Sequence, residues 1–176
     1  MYPLSPPKVY VSDRALADER SARRVERMLA ALGRGRDAIT FTDADIPEMV
    51  RENGWEIARR RQGNHPAHTE LALVFTTIRF DGRPDPAPVT AQCPPGTPSS
   101  LVGNLLGHGG FVIHREHAGH NRVCRPRYQF DTLYGCPHGC RYCSGGKVSV
   151  VFTNLEELLE RQIAPTVQGN PRQNVF

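Results

Sequence analysis

The chain has 176 residues, of which 39% are apolar, and a formal net charge of +4. This length allows one ordinary domain or two small ones. No apolar run approaches the roughly 18 residues of a membrane span, and the amino terminus lacks the apolar segment of a signal peptide. We therefore expect no membrane partner and a cytoplasmic location. Five cysteines, three of them clustered, argue against a disulfide framework and favour metal binding.

The first 80 residues predict a small α/β unit. A strand over residues 8–12 precedes a helix over 13–32, which stops at Gly33, and a second strand follows over 38–42. The helix carries an apolar stripe at spacings of three, four and seven residues: Val25, Met28, Leu29 and Leu32. This βαβ order predicts that the two strands are parallel neighbours. A second helix from about Asp45 and a third strand over 71–80 complete the unit.

Residues 81–125 predict a linker rich in proline, glycine and histidine. Six prolines fall within residues 81–98, and we interpret Cys93 among them as incidental rather than as a ligand. Three histidines and a cysteine follow: His114, His117, His120 and Cys124. They either form a metal site or belong to a surface loop. The loop is favoured because Gly119 weakens the helix that would bring the histidines to one face.

The last segment, residues 126–176, predicts two strands joined by a loop and followed by a helix. The strands cover about 128–133 and 147–153, and the valine-rich second strand is typical of one buried on both faces of a parallel sheet. Asn154 and Glu157 predict a helix start of the capping-box type. The helix then carries an apolar stripe: Leu155, Leu158, Leu159 and Ile163.

The loop between these strands contains three cysteines with the spacing C-x3-C-x2-C. They are Cys136, Cys140 and Cys143. Three thiolates on one short loop can hold three irons of a four-iron cluster and leave the fourth iron open. Gly135 and Gly139 let the backbone turn tightly between the ligands.

This motif, with Tyr142 just before the last cysteine, is identified as the radical S-adenosylmethionine (SAM) signature. The surrounding sequence resembles the spore photoproduct lyase family. Four stretches carry the resemblance: Leu133-Tyr-Gly-Cys, Cys140-Arg-Tyr-Cys, Val150-Val-Phe-Thr-Asn-Leu-Glu and, near the amino terminus, Pro7-Lys-Val-Tyr-Val-Ser-Asp. It is strong from about residue 128 to residue 164. It implies an α/β chain whose N-terminal unit, residues 1–80, precedes the start of an incomplete radical SAM (β/α) barrel at residues 126–176.

The resemblance also implies a site and a reaction. Cys136, Cys140 and Cys143 would bind a 4Fe-4S cluster, its open iron would chelate SAM, and the backbone at Tyr142 would contact the adenine. Reductive cleavage of SAM to a 5′-deoxyadenosyl radical would start a lyase reaction, which in this family reverts a thymine dimer in DNA. A flavodoxin or ferredoxin would supply the electron. Residues 114–147 carry six Arg/Lys against two Asp/Glu, so an anionic substrate such as DNA would meet positive charge there.

The resemblance implies a barrel of about six βα units, and this chain holds about one and a half. We interpret it as a truncated form, a fragment or a subunit that another polypeptide completes, so its own turnover stays open. A second hypothesis is a zinc-binding module for nucleic acid, in which Cys124 joins the three clustered cysteines as the fourth thiolate. A third is a non-catalytic remnant.

Overall fold

A computed structural model of the chain describes residues 8–34, 37–56, 72–114, 127–135 and 148–169. The seven strands in this part of the chain are β1 (Lys8–Ser12), β2 (Ile39–Phe41), β3 (Ala72–Thr76), β4 (Gly110–His114), β5 (Arg127–Asp131), β6 (Leu133–Tyr134) and β7 (Val148–Phe152). The α-helices are α1 (Asp13–Ala17), α2 (Glu19–Ala31), α3 (Ile46–Asn53), α4 (Ala87–Thr90), α5 (Ser99–Leu105), α6 (Leu155–Leu158) and α7 (Ala164–Gly169). A 3-10 turn (Asp43–Asp45) precedes α3, and a π-helical segment (Leu159–Ile163) joins α6 to α7.

Five strands form one sheet in the order β2-β1-β3-β7-β6. Strands β2, β1, β3 and β7 are parallel, and β6 pairs antiparallel with β7 at the edge. The predicted α/β class is therefore confirmed, as is the parallel pairing of the first two strands. Strand β7 comes from residues 126–176 and pairs with β3 from residues 1–80, so segments predicted as separate units share one sheet.

The strand predicted over residues 128–133 is divided between two sheets. Its first part belongs to β5, which pairs antiparallel with β4 in a two-stranded ribbon. Thr132 interrupts the extended backbone, and β6 then joins the main sheet. The single-strand prediction was wrong because alternation of side chains cannot show where a strand changes its partner.

The helix predicted over residues 13–32 is broken once, at Asp18. Ser12 caps α1 by accepting a hydrogen bond from the backbone of Ala15 at 3.2 Å, and Asp18 caps α2 by accepting one from Ser21 at 2.8 Å. A second capping residue therefore starts a second helix. Leu32, which was predicted in the apolar stripe, lies beyond the end of α2 and is 45% exposed.

The core lies on both faces of the parallel sheet. Because successive residues of a strand point to opposite faces, Val9 and Val11 of β1 pack with α2 on one face, whereas Tyr10 packs with α3 and α5 on the other. Four of the five residues of β7 are buried. The prediction of a strand buried on both faces is confirmed.

Residues between β3 and β4 also pack against this core. Helix α5 buries Leu101, Val102 and Leu105 completely, and Val89 and Cys93 lie partly buried against the same cluster. The proline-rich segment that predicts a linker thus contributes two helices and apolar contacts to the sheet.

The helical segment after β7 confirms burial of Leu158 and Ile163 but not of Leu159, which is 54% exposed. The i→i+5 hydrogen bonding of the π-helical segment over residues 159–163 widens the turn and brings Leu158 and Ile163 closer to one face than an α-helix would. No helix among the described ranges has the length and apolar character needed to cross a bilayer.

Candidate functional site

The predicted cluster ligands Cys136, Cys140 and Cys143 lie outside the described residues, as does Tyr142. The two residues that flank this twelve-residue loop, Gly135 and Val148, are described. They fix where the loop leaves the sheet and where it returns.

The two ends of the cysteine loop are in contact. Gly135 has a φ of 86°, and a Cβ added to it would lie 2.2 Å from the carbonyl oxygen of Val148. Only glycine permits both this backbone conformation and this approach. The next pair along the strands, Tyr134 and Val150, is in register between β6 and β7. Residues 136–147 therefore begin and end at neighbouring backbone positions.

The loop emerges at the amino end of β7, on the edge of the sheet where Lys8 and Ala72 begin β1 and β3. It follows the carboxyl end of β6, as the order strand–loop–strand predicts. However, β6 runs antiparallel to β7, whereas successive strands of a (β/α) barrel are parallel. A connection between two parallel strands needs a dozen or more residues and usually contains a helix. The twelve residues 136–147 are close to that minimum length.

The other predicted ligand candidates are only partly described. His114 ends β4 opposite Arg127, whereas His117, His120 and Cys124 lie outside the described residues. The thiol of Cys93 donates to the carbonyl of Val89 at 3.3 Å, and burial raises its pKa. Within the described ranges, no group of three or more His, Cys, Asp or Glu residues could hold a metal ion.

A network of charged side chains lies at the opposite, carboxyl edge of the sheet. Arg14, two residues after β1, pairs with Asp43 and donates to Thr76 Oγ1 and to the carbonyl of Leu105, each at 3.0 Å. Arg79, three residues after β3, reaches the other oxygen of Asp43 at 3.3 Å. One carboxylate thus joins two guanidinium groups that follow adjacent parallel strands.

This network lies where the order of the strands reverses. The chain passes from β1 to β2 on one side and then returns to β3 on the other side of β1. In open α/β sheets, ligands commonly bind outside the carboxyl ends of the strands at this point. The carboxyl edge is therefore a candidate site that is distinct from the cysteine loop.

Asn154 connects the ends of β3 and β7 at this edge. Its side chain accepts a hydrogen bond from the Ile78 N–H and donates one to the Ile78 carbonyl, both at 2.8 Å. It also donates to Glu157 Oε2 at 3.1 Å. The predicted helix start at Asn154 is confirmed. The Asn154 side chain makes no hydrogen bond to the helix backbone, because it is hydrogen-bonded to the backbone of Ile78 instead.

Two cavities open at the carboxyl edge and share Ile78, Arg79 and Phe80. The larger has a volume of about 270 Å³ and extends past Asn154 to Arg161, which lies over the Phe80 ring at 5.6 Å from its centroid. The smaller has a volume of about 120 Å³.

Arg79 and Asp81, beside these cavities, stabilise each other's ionised forms. Arg79 donates to both carboxylate oxygens of Asp81, at 3.3 and 3.2 Å. This hydrogen bonding raises the pKa of Arg79 and lowers the pKa of Asp81 from their ordinary values. A bidentate arginine of this kind is geometrically fixed, so Asp81 holds Arg79, which lines both cavities, in one orientation.

The sequence did not predict Arg14, Asp43 or Arg79 as a group. They are 29 and 36 residues apart along the chain and belong to no local motif. The available signal was the position of Arg14 and Asp43 just after predicted strands, whose carboxyl ends meet at one edge. Arg79 gave no such signal, because it falls inside the strand predicted over residues 71–80, which ends at Thr76 in the structure.

Scans against protein-family models, curated proteins and solved structures found no match. The resemblance to radical SAM proteins therefore rests on the residues quoted above.

Proposed function

We propose that the chain binds a 4Fe-4S cluster through Cys136, Cys140 and Cys143, and SAM at the open iron, as a relative of the spore photoproduct lyases. In this proposal residues 126–176 are the beginning of a partial (β/α) barrel. The donor set fits the cluster, because cysteine thiolates are the usual ligands of iron–sulfur clusters, and three of them would leave one of four irons free for a substrate.

One observation carries the proposal: three cysteines with cluster spacing lie in a loop whose two ends touch. The contact between Gly135 and Val148 shortens the distance that the loop must span. A loop closed at its base costs less conformational entropy when its side chains converge on one ligand.

The chain's own contribution would be to hold the cofactors and to exclude water. Gly135 would set the direction in which the first ligand leaves the sheet, and the backbone at Tyr142 would contact the adenine of SAM. When bound, the cluster would supply one-electron reductive cleavage of SAM, the step that the protein cannot perform with side chains.

The proposed substrate class is damaged DNA with a covalent thymine dimer, and the proposed reaction is a lyase reaction. The excess of Arg and Lys over Asp and Glu in residues 114–147 supports an anionic substrate next to the cysteine loop. A flavodoxin or ferredoxin is the proposed electron donor, and a completing polypeptide would supply further barrel strands.

The experiment that tests this function is anaerobic incubation of the reconstituted chain with SAM and dithionite. Formation of 5′-deoxyadenosine, absent when all three loop cysteines are replaced by alanine, is the expected result. A reconstituted chain that forms no 5′-deoxyadenosine beyond the level of the triple variant contradicts the proposed activity.

The zinc hypothesis gives a different result in the same preparation. A four-thiolate zinc site requires Cys124, so Cys124→Ser would abolish metal binding by a colourless, zinc-containing protein. Cluster binding requires only the three loop cysteines, so the same substitution would leave the iron content and the brown colour unchanged.

A further inference from the structure

The smaller cavity at the carboxyl edge has the composition of an anion site. Its volume is about 120 Å³, and its polar side chains are Arg79, Arg83, His108 and Gln162. No acidic side chain is among the described residues that line it. Since positive and neutral donors surround the space, a small anion fits it better than a cation.

Two of these side chains have unused hydrogen-bonding capacity. Arg83 is exposed and forms no ion pair with any acidic residue in the described ranges. His108 Nε2 is buried and lacks a hydrogen-bond partner among the described residues. A buried polar atom without a partner is unfavourable, so a ligand that supplies an oxygen there would relieve the cost.

Glycines bring the backbone close to this cavity. Gly107 has a φ of 89°, and a Cβ on it would lie 2.5 Å from the Thr77 carbonyl oxygen. A Cβ on Gly109 would lie 1.8 Å from the Phe152 ring. These contacts fix the segment around His108 against the ends of β3 and β7.

We propose that this cavity, lined by Arg79, Arg83 and His108, binds a phosphate group. Arginine is suited to this ligand because its planar guanidinium forms two parallel hydrogen bonds to phosphate oxygens. Arg83 would supply that pair, because the guanidinium of Arg79 already donates to Asp81 and Asp43 and would add only its remaining N–H groups. Arg79 is held in place by Asp81, whereas Arg83 is free to turn toward the ligand. The phosphate would therefore lie between one fixed and one adjustable arginine.

The neighbouring cavity of about 270 Å³ would take the organic substituent of a phosphate ester. The two spaces share Ile78, Arg79 and Phe80. The larger volume is near the lower end of the roughly 300–1,000 Å³ typical of small-molecule sites, and Phe80 provides an aromatic wall.

This site is separate from the cysteine loop. The loop returns to the sheet at Val148, the first residue of β7. Phe152 is the last residue of β7, and its ring lies against Gly109, which lines the phosphate cavity. Four residue steps along a strand cover about 13 Å. The inference consequently does not depend on the proposed cluster.

The test is a titration of the ¹⁵N-labelled full chain with inorganic phosphate, followed by amide chemical shifts, with affinities from calorimetry. We expect saturable shifts centred on residues 82–83 and 107–109. Adenosine 5′-monophosphate is titrated in parallel. Tighter binding of the ester supports the site and assigns an esterified phosphate, whereas equal affinity supports the site and assigns free phosphate.

The matched variants are Arg83→Gln and Arg51→Gln. Both residues are exposed arginines, but Arg51 lies on α3 and lines neither of the two cavities. Arg83→Gln should weaken phosphate binding about tenfold, as expected for loss of a hydrogen bond to a charged group, and Arg51→Gln should not. Equal weakening by both variants, or shifts absent from residues 82–83 and 107–109, would overturn the proposal.

Discussion

Replacing Asn154 with alanine removes the link between the ends of β3 and β7. The side chain makes two hydrogen bonds of 2.8 Å with the backbone of Ile78. Asn154 is 5% exposed and Ile78 is 4% exposed. Both residues are largely shielded from bulk water, so the variant leaves one N–H and one carbonyl of Ile78 without their hydrogen-bond partners.

The magnitude follows from these two groups. A buried polar group left without its partner costs about 1–3 kcal/mol, so Asn154→Ala, which affects two such groups, should lower the free energy of unfolding by roughly 2–6 kcal/mol. That is a large share of the 5–15 kcal/mol typical of a folded domain. At about 2–4 °C per kcal/mol for a chain of this size, the melting temperature should fall by at least several degrees.

Urea denaturation followed by tryptophan fluorescence measures this loss. The chain has one tryptophan, and Trp55 is 3% exposed with its ring edge-on to Tyr10 at 5.7 Å between centroids. Unfolding therefore changes its surroundings. The matched control is Asn104→Ala, whose side chain only donates to Ser100 within α5, near the surface, and which should change stability by less than about 0.5 kcal/mol. Equal effects of the two substitutions would refute the reasoning.

Two further predictions concern the loop base and the carboxyl edge. Gly135→Ala should destabilise the chain more than Gly33→Ala. Both positions have positive φ, which costs about 1–2 kcal/mol for alanine. Only at Gly135 would the new Cβ also collide with the Val148 carbonyl. Equal losses of unfolding free energy for the two variants in urea denaturation would contradict this prediction. For Asp81, whose pKa is lowered by Arg79, the stabilising contribution should be present above about pH 4 and lost as the pH falls through the lowered pKa. Arg79→Gln should raise that pKa in a carboxyl NMR titration, and an unchanged titration would show that the pairing is absent in solution.

The parallel half of the sheet could be predicted from the sequence because its signals are local. The alternation in β1, the apolar spacing in α2 and the continuous valines of β7 each show burial within a few residues. Gly33 ends the first helical region as predicted, with a φ of 66°. Such patterns fix where an element lies and which face it buries.

Pairing between distant segments could not be predicted in the same way. Nothing in the sequence near Leu133 shows that β6 joins β7 while β5 joins β4. Prolines in residues 81–98 indicate irregular structure, but they do not show that Val89 and Cys93 pack against the sheet. These contacts depend on which surfaces meet after folding.

The two candidate sites differ in the same respect. The cysteine motif is visible because its donors are adjacent in the sequence, and the cluster that it predicts stays a prediction. The Arg14–Asp43–Arg79 network became visible only through the sheet, since its members follow different strands. The cysteine motif therefore identified the candidate site at one edge of the sheet, and the order of the strands identified the candidate site at the opposite edge.

The most direct test of the central claim is the iron and sulfide content of the chain after anaerobic reconstitution. We predict about four irons per chain in the unaltered protein and in Cys93→Ala, and almost none when Cys136, Cys140 and Cys143 are all replaced by alanine. A chain that takes up no iron and sulfide, or a triple variant that retains the full iron content, would contradict the claim that these three thiols hold a cluster.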